Sequence, residues 1–249
     1  MNKKIYIAII ATYSVVFLLS VFMLGRQFID SKKSVKDFEQ LQQVIVTEPV
    51  VDEETEEVIE ITAYEQYKEL YALNNDFVGW ITIEETAVNY PVMQSIDRPN
   101  YYLKRNFDKQ YSDYGVPYVD EKCGIDLSNN TIIYGHNMKN GTMFTVLPAY
   151  EKESFYNEHK TITFNTLEDF AEYEVIAAFK IDVSTDPFFY NTYTDMNEEA
   201  FNEFMENIKD KAFYDTGITA EYGDKLLTLS TCEYTLQDGR FVVVAKKVV

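Results

Sequence analysis

The chain is short of the residues that most often confuse a functional reading. Its 249 residues include two cysteines, two histidines and one tryptophan. Two cysteines cannot build a disulfide scaffold, and with two histidines they lack the paired spacing of a structural zinc site, so no metal is expected. Nor does anything in the chain call for a cofactor. Basic residues are scarce as well, 22 against 41 acidic ones, for a net charge of −19. Nucleic acid needs a basic face to meet its phosphates, so such a partner is argued against. There is no internal repeat and no low-complexity tract.

Charge is also missing from one long run. Ile5 to Leu24 contains no charged residue. Twenty helical residues rise about 30 Å, the thickness of a bilayer core. A cleaved signal peptide would have a shorter apolar region followed by small residues. Here Phe22-Met23-Leu24-Gly25-Arg26 follows instead, so an uncleaved anchor is the better reading. Lys3 and Lys4 precede the run while Arg26, Lys32 and Lys33 follow it, which leaves orientation ambiguous by charge.

Four segments are therefore expected: a tail over 1–4, a transmembrane anchor over 5–24, a juxtamembrane helix and acidic spacer over 25–61, and a catalytic domain over 62–249. Val35, Phe38, Leu41 and Ile45 recur at helical spacing, which predicts a short amphipathic helix capped by Ser34. Asp52-Glu53-Glu54-Thr55-Glu56-Glu57 lacks the alternating ligands and glycine of a calcium loop and reads as a solvated spacer. Thr62-Ala63-Tyr64-Glu65 is a capping box that opens a helix to Leu73. Eight β-rich runs follow: 80–83, 87–93, 116–120, 131–134, 160–165, 173–183, 226–231 and 241–248. Their spacing predicts a barrel or sandwich. One helix interrupts them, with Phe201, Phe204, Met205 and Ile208 on one face and Asp195 and Glu198 resembling its cap.

The chemistry concentrates at the end of the seventh run. In Leu226-Leu227-Thr228-Leu229-Ser230-Thr231-Cys232 the side chains alternate. Leu227 and Leu229 read as core with Thr231, so Cys232 shares its face with Thr228 and Ser230. Gln237-Asp238-Gly239 is turn chemistry, and a hairpin there brings Arg240 back beside Cys232. A fixed cation favours the thiolate, which is the nucleophilic form of the thiol. His136 emerges where the short strand Thr131–Tyr134 ends at Gly135, and it is the candidate acid–base. An ordinary cysteine and histidine, near 8.5 and 6.5, would be thiolate and imidazolium together in only about 1% of sites. The competing readings are bland. Cys232 could be a small buried apolar residue, His136 a loop-end histidine, and Arg240 one half of an exposed pair with Asp238 or Glu233. His159 lies among charged neighbours and reads as surface. Cys123, in a loop, reads as a free or partly buried thiol without a catalytic role.

The residues Thr228-Leu229-Ser230-Thr231-Cys232 resemble the TLxTC signature of sortases. Tyr134-Gly135-His136 and Arg240 fall where that family keeps its histidine and arginine. Phe77-Val78-Gly79-Trp80-Ile81, Tyr90-Pro91-Val92-Met93-Gln94, Tyr101-Tyr102-Leu103 and Gly115-Val116-Pro117-Tyr118-Val119-Asp120 are similar to class B members, so the resemblance spans 62–249. It implies a mainly β fold: an eight-stranded sortase-type barrel with N-terminal helices, a helix between strands six and seven, and an N-terminal transmembrane helix. It implies a cysteine transpeptidase of Gram-positive bacteria, single-pass in the cell membrane, with its catalytic domain outside. Cys232, His136 and Arg240 would be catalytic, and Ser230 and Thr228 are candidates to face substrate. The partners would be secreted proteins with a C-terminal sorting motif resembling Asn-Pro-x-Thr-x, and an amine of peptidoglycan. The alternatives are a cell-wall cysteine peptidase that uses water, or a non-enzymatic domain tethered to the membrane.

Overall fold

The computed structural model describes residues 3–46, 50–51, 58–59, 61–125 and 127–248. The acidic run Asp52–Glu57 lies outside the described residues. Helix α1 spans Lys3–Gln42 without interruption. At about 1.5 Å per residue it is about 60 Å long, and it is long and apolar enough to cross a membrane. Ser34 is therefore not an N-cap. The helical periodicity of the apolar run passes into that of the amphipathic run with no proline between them, so nothing forces a new start.

Strands β1 (Val50–Val51) and β2 (Val58–Ile59) form a small antiparallel ladder within the stretch read from sequence as a spacer. Helix α2 (Ala63–Leu73) opens on the predicted capping box. Thr62 Oγ1 accepts from the Glu65 N–H at 3.2 Å, and Glu65 Oε2 accepts from the Thr62 N–H at 3.3 Å. Two of the helix's orphan donors are thereby satisfied.

The eight remaining strands close into a barrel, which bears out the expected architecture. They are β3 (Phe77–Thr82), β4 (Asn89–Met93), β5 (Tyr118–Val119), β6 (Asn130–Tyr134), β7 (Thr161–Thr166), β8 (Glu172–Asp182), β9 (Leu226–Glu233) and β10 (Gly239–Lys247). Around the barrel the order is β10-β8-β7-β3-β4-β5-β6-β9. Most pairs are antiparallel, but β4–β5 and β6–β9 are parallel. A short helix α3 (Glu153–Glu158) lies between β6 and β7.

Helix α4 (Glu198–Lys211) sits between the sixth and seventh barrel strands, as expected. Its cap is Asn197, whose side chain accepts from the Ala200 N–H at 2.9 Å, rather than Asp195. Asparagine caps as well as aspartate, and Asn197 stands directly before the first helical residue.

Two apolar layers result. Phe241, Val243, Leu227 and Leu229 point into the barrel. Val242 and Val244 point outward and pack with Phe201, Phe204 and Ile208 of α4. Strand β10 is therefore buried on both faces, which explains why it reads as a nearly continuous β-branched run.

Candidate active site

Strands β6 and β9 run parallel, so both point their C-terminal ends the same way. Ile133 pairs with Leu229 and Tyr134 with Ser230, which puts His136 and Cys232 at one end of the barrel. The segment beyond β6 is fastened to β9 step by step. The Gly135 N–H donates to the Ser230 carbonyl at 3.1 Å. Thr231 Oγ1 donates to the Gly135 carbonyl at 2.7 Å. Asn137 Nδ2 donates to the Cys232 carbonyl at 3.0 Å, and the Tyr234 hydroxyl donates to the Asn137 carbonyl at 2.9 Å. Both residues flanking His136 are thus tied to the end of β9. Gly135 is required here by space, because a Cβ would meet the Phe144 ring at 2.6 Å.

Arg240 lies directly across from Cys232 in the β9–β10 ladder. Residues so placed hold their Cβ atoms about 4.5–5.5 Å apart. The turn at Gly239 is tight, since a Cβ there would come within 2.5 Å of the Glu233 carbonyl oxygen. Arg240 Nη1 donates to the Gly239 carbonyl at 2.9 Å, and among the described residues no carboxylate pairs with the guanidinium. The exposed ion pair with Asp238 or Glu233 is absent; Glu233 instead caps the turn, accepting from the Thr235 and Leu236 N–H groups. Cys232 is half-buried and its thiol is free.

His136 is half-buried, and its Nε2 lies 2.7 Å from the Leu103 carbonyl oxygen. A carbonyl only accepts, so Nε2 carries the proton of the neutral ring and Nδ1 offers the lone pair. Burial pushes the His136 pKa below its ordinary value, and the Lys104 cation adds to that; the Leu103 carbonyl and Asp113 act in the opposite sense. Lys104 and Asp113 are themselves paired at 2.9 Å.

Thr228 and Ser230 lie on the outward face of β9, beneath the β8–β9 connection. Both are buried. Thr228 Oγ1 donates to Asn130 Oδ1 at 2.8 Å. Ser230 Oγ and the Tyr190 hydroxyl are 2.7 Å apart. Each hydroxyl has a partner in the protein, and Thr228 has no exposed surface. Tyr118 and Tyr190 line the same corner, where burial raises both phenols and the Arg240 cation opposes it. Leu103 and Tyr118 stand out in sequence only as parts of family-like stretches, without a role, and Asn137 and Tyr190 are not singled out. Asn137 adjoins His136, but its tie spans 95 residues of chain and has no local signal.

The other thiol differs. Cys123 is buried, accepts from the Ile132 N–H at 3.4 Å and donates to the Asn130 carbonyl at 3.5 Å. Burial pushes its pKa up to about 12. His159 sits against the Phe155 ring, with Nδ1 3.1 Å from the Glu84 carbonyl, away from this corner.

The chain as a whole is similar to known proteins. The sequence profile of the sortase domain matches residues 81–248. Sortase B of Staphylococcus aureus (strain NCTC 8325 / PS 47) is 31% identical over 99% of this chain and 98% of its own length. Sortase B of Listeria monocytogenes serovar 1/2a is 31% identical over 94% of this chain and 92% of its own. A solved Staphylococcus aureus sortase B–substrate complex superposes with a TM-score of 0.75 at 31% identity, covering 88% of this chain and 98% of that one.

Proposed function

This chain belongs to the sortase family, in its class B, and is a sortase-type transpeptidase; from that premise we propose that Cys232, His136 and Arg240 carry the reaction. The observation that supports this reading is the convergence of the three at one barrel end, Arg240 across from Cys232 and His136 fastened between two ties to β9.

His136 Nδ1 takes the proton of the Cys232 thiol, and the resulting thiolate attacks the carbonyl carbon of a threonine in a sorting motif resembling Asn-Pro-x-Thr-x. The Arg240 guanidinium stabilises the negative charge that develops on the carbonyl oxygen, or holds the motif. His136 Nδ1 gives its proton to the leaving amine as the C–N bond breaks, which leaves a thioester on Cys232. An incoming peptidoglycan amine then loses a proton to Nδ1 and attacks the thioester, and the C–S bond breaks to release the thiolate, which takes that proton back. Nε2 stays on the Leu103 carbonyl throughout, which fixes the ring. Residues 62–249 form the catalytic domain, and residues 5–24 anchor it in the membrane with the domain outside.

Mass spectrometry of the full chain in detergent, with candidate sorting peptides, tests the proposal. An added amine should convert the cleaved product into an amide. Hydrolysis alone, unchanged by any amine, would make the chain a peptidase in practice.

A further inference from the structure

Helix α1 does not end where its apolar run ends. It continues to Gln42 and lies against the catalytic end of the barrel through three contacts. Asn140 Nδ2 donates to Ser31 Oγ at 2.7 Å. Phe38 is buried edge-on to the Tyr90 ring, with centroids 5.0 Å apart. Gln42 Nε2 donates to the Asn89 carbonyl at 3.2 Å. Asn140 belongs to the loop that follows His136, and the same loop is pinned by the Met143 N–H donating to the Tyr90 hydroxyl at 3.1 Å. Helix, loop and barrel end are therefore one assembly.

Helical rise converts these contacts into heights. Ser31 stands about 10 Å along the helix from Leu24. The headgroup layer extends about 5–7 Å beyond the hydrocarbon. With the apolar run in the bilayer, the loop after His136 hangs just above the headgroups. Tyr111 belongs to the segment that follows Leu103, whose carbonyl lies 2.7 Å from His136 Nε2, so it stands at the same barrel end, with its hydroxyl donating to Asp113 at 2.7 Å. Tyr111 is 70% exposed, as are Phe28 at 61% and Ile29 at 66%. Aromatic side chains with a polar tip favour this depth.

Charge agrees with that placement. The chain carries −19 overall. Residues 26–37 nevertheless hold four basic and two acidic groups, residues 98–113 hold the same, and exposed Lys139 adds one more. Asp76 pairs with both Arg98 and Lys109, which still leaves nine basic groups against five acidic ones on the face held beside the membrane. A strongly acidic domain would otherwise be repelled by an anionic leaflet.

We propose that the Tyr111 loop and the loop over residues 138–141 rest on the headgroups of an anionic membrane, which holds the His136 end of the barrel at the lipid surface. This rests on the reading of residues 5–24 as a membrane span.

The test uses the full-length protein in vesicles with brominated acyl chains, made of phosphatidylcholine alone or mixed with phosphatidylglycerol. Tyr111→Trp and Gln110→Trp place reporters in the loop, the parent chain reports through buried Trp80, and Tyr222→Trp marks the far side beside α4. With phosphatidylglycerol, emission from either loop reporter should fall by at least half, the parent and the Tyr222→Trp variant should change little, and Lys139→Glu should weaken the loop quenching. Loop reporters quenched no more than the parent, or equal quenching of the Tyr222→Trp variant, would overturn the proposal. Undiminished quenching in phosphatidylcholine alone would overturn its anionic part. Sedimentation after carbonate washing reports the anchor separately, and peptide transfer in detergent reports the chemistry separately.

Discussion

The two cysteines occupy opposite ends of one parallel strand pair. Cys123 lies against the start of β6, enclosed, with its sulfur bonded to backbone on both sides. Cys232 lies at the end of β9, half-buried, free, and opposite an arginine that no carboxylate neutralises among the described residues. The same side chain is a protonated packing group in one place and a half-buried free thiol in the other. The difference comes from position on the ladder rather than from the residue. At the start of β6 the Asn130 carbonyl and the Ile132 N–H hold the sulfur. At the end of β9 a tight hairpin supplies the cation.

The largest expected effect separates the two thiols. Cys232→Ala should reduce peptide cleavage below detection without a change in folding. Cys123→Ala should keep turnover within severalfold of the parent. It should still lower stability by about 1–3 kcal/mol, because the Ile132 N–H loses its acceptor in a buried site. Wild-type turnover by the Cys232 variant would dissolve the contrast.

Next comes the cation that distinguishes the two surroundings. Arg240→Lys keeps the charge but loses the planar fork. Turnover should fall about 10²–10³-fold, or roughly 3–4 kcal/mol, with the melting temperature nearly unchanged. An exposed hairpin residue would cost under about 1 kcal/mol.

Smaller is the effect of loosening the strap that carries His136. Asn137→Ala removes the bond to the Cys232 carbonyl. It should lower kcat about tenfold, the order of one neutral hydrogen bond lost from positioning, while KM changes less. An equal loss in a Tyr150→Phe control, remote from the site, would point to general loosening.

The smallest is a shift in pH dependence. His136 titrates below its ordinary value through burial and the Lys104 cation. The acid limb of kcat/KM should therefore lie below about 6.5. Lys104→Gln removes one of the depressing charges, so that limb should move up, while Asp113→Asn should move it down. The linkage to stability has the matching sign. A buried neutral histidine with a lowered pKa contributes fully above its unfolded value and is lost as pH falls through that value and below. Thermal stability should thus decline on acidification below about 6.5, and His136→Gln should flatten that decline.

Much of this was legible in the sequence for identifiable reasons. The capping box at Thr62 and Glu65 is a local device, and local devices survive without tertiary context. All eight barrel strands stand within a few residues of their β-rich runs, because alternating or β-branched patterns record burial directly. Cys232 and Arg240 could be brought together because one hairpin separates them. What escaped depended on distant pairing or on a missing stop signal. The Ser34 cap failed because a serine that can start a helix can also sit inside one. The cap read at Asp195 falls two residues later, at Asn197, because either side chain type can cap. The β1–β2 ladder is two residues deep and too short to pattern. Burial of Thr228 and Ser230 follows from Asn130 and Tyr190, which reach them across 98 and 40 residues of chain.

The central claim is that the thiol at the open end of the ladder, and not the enclosed one, forms a covalent link to substrate. Proteolytic mapping of the protein after brief incubation with a sorting peptide, before any amine is added, tests this most directly. The account predicts a hydroxylamine-labile adduct on the fragment that contains Cys232, with Cys123 unmodified. An adduct on Cys123, or sustained cleavage with no adduct even under rapid quenching, would contradict it.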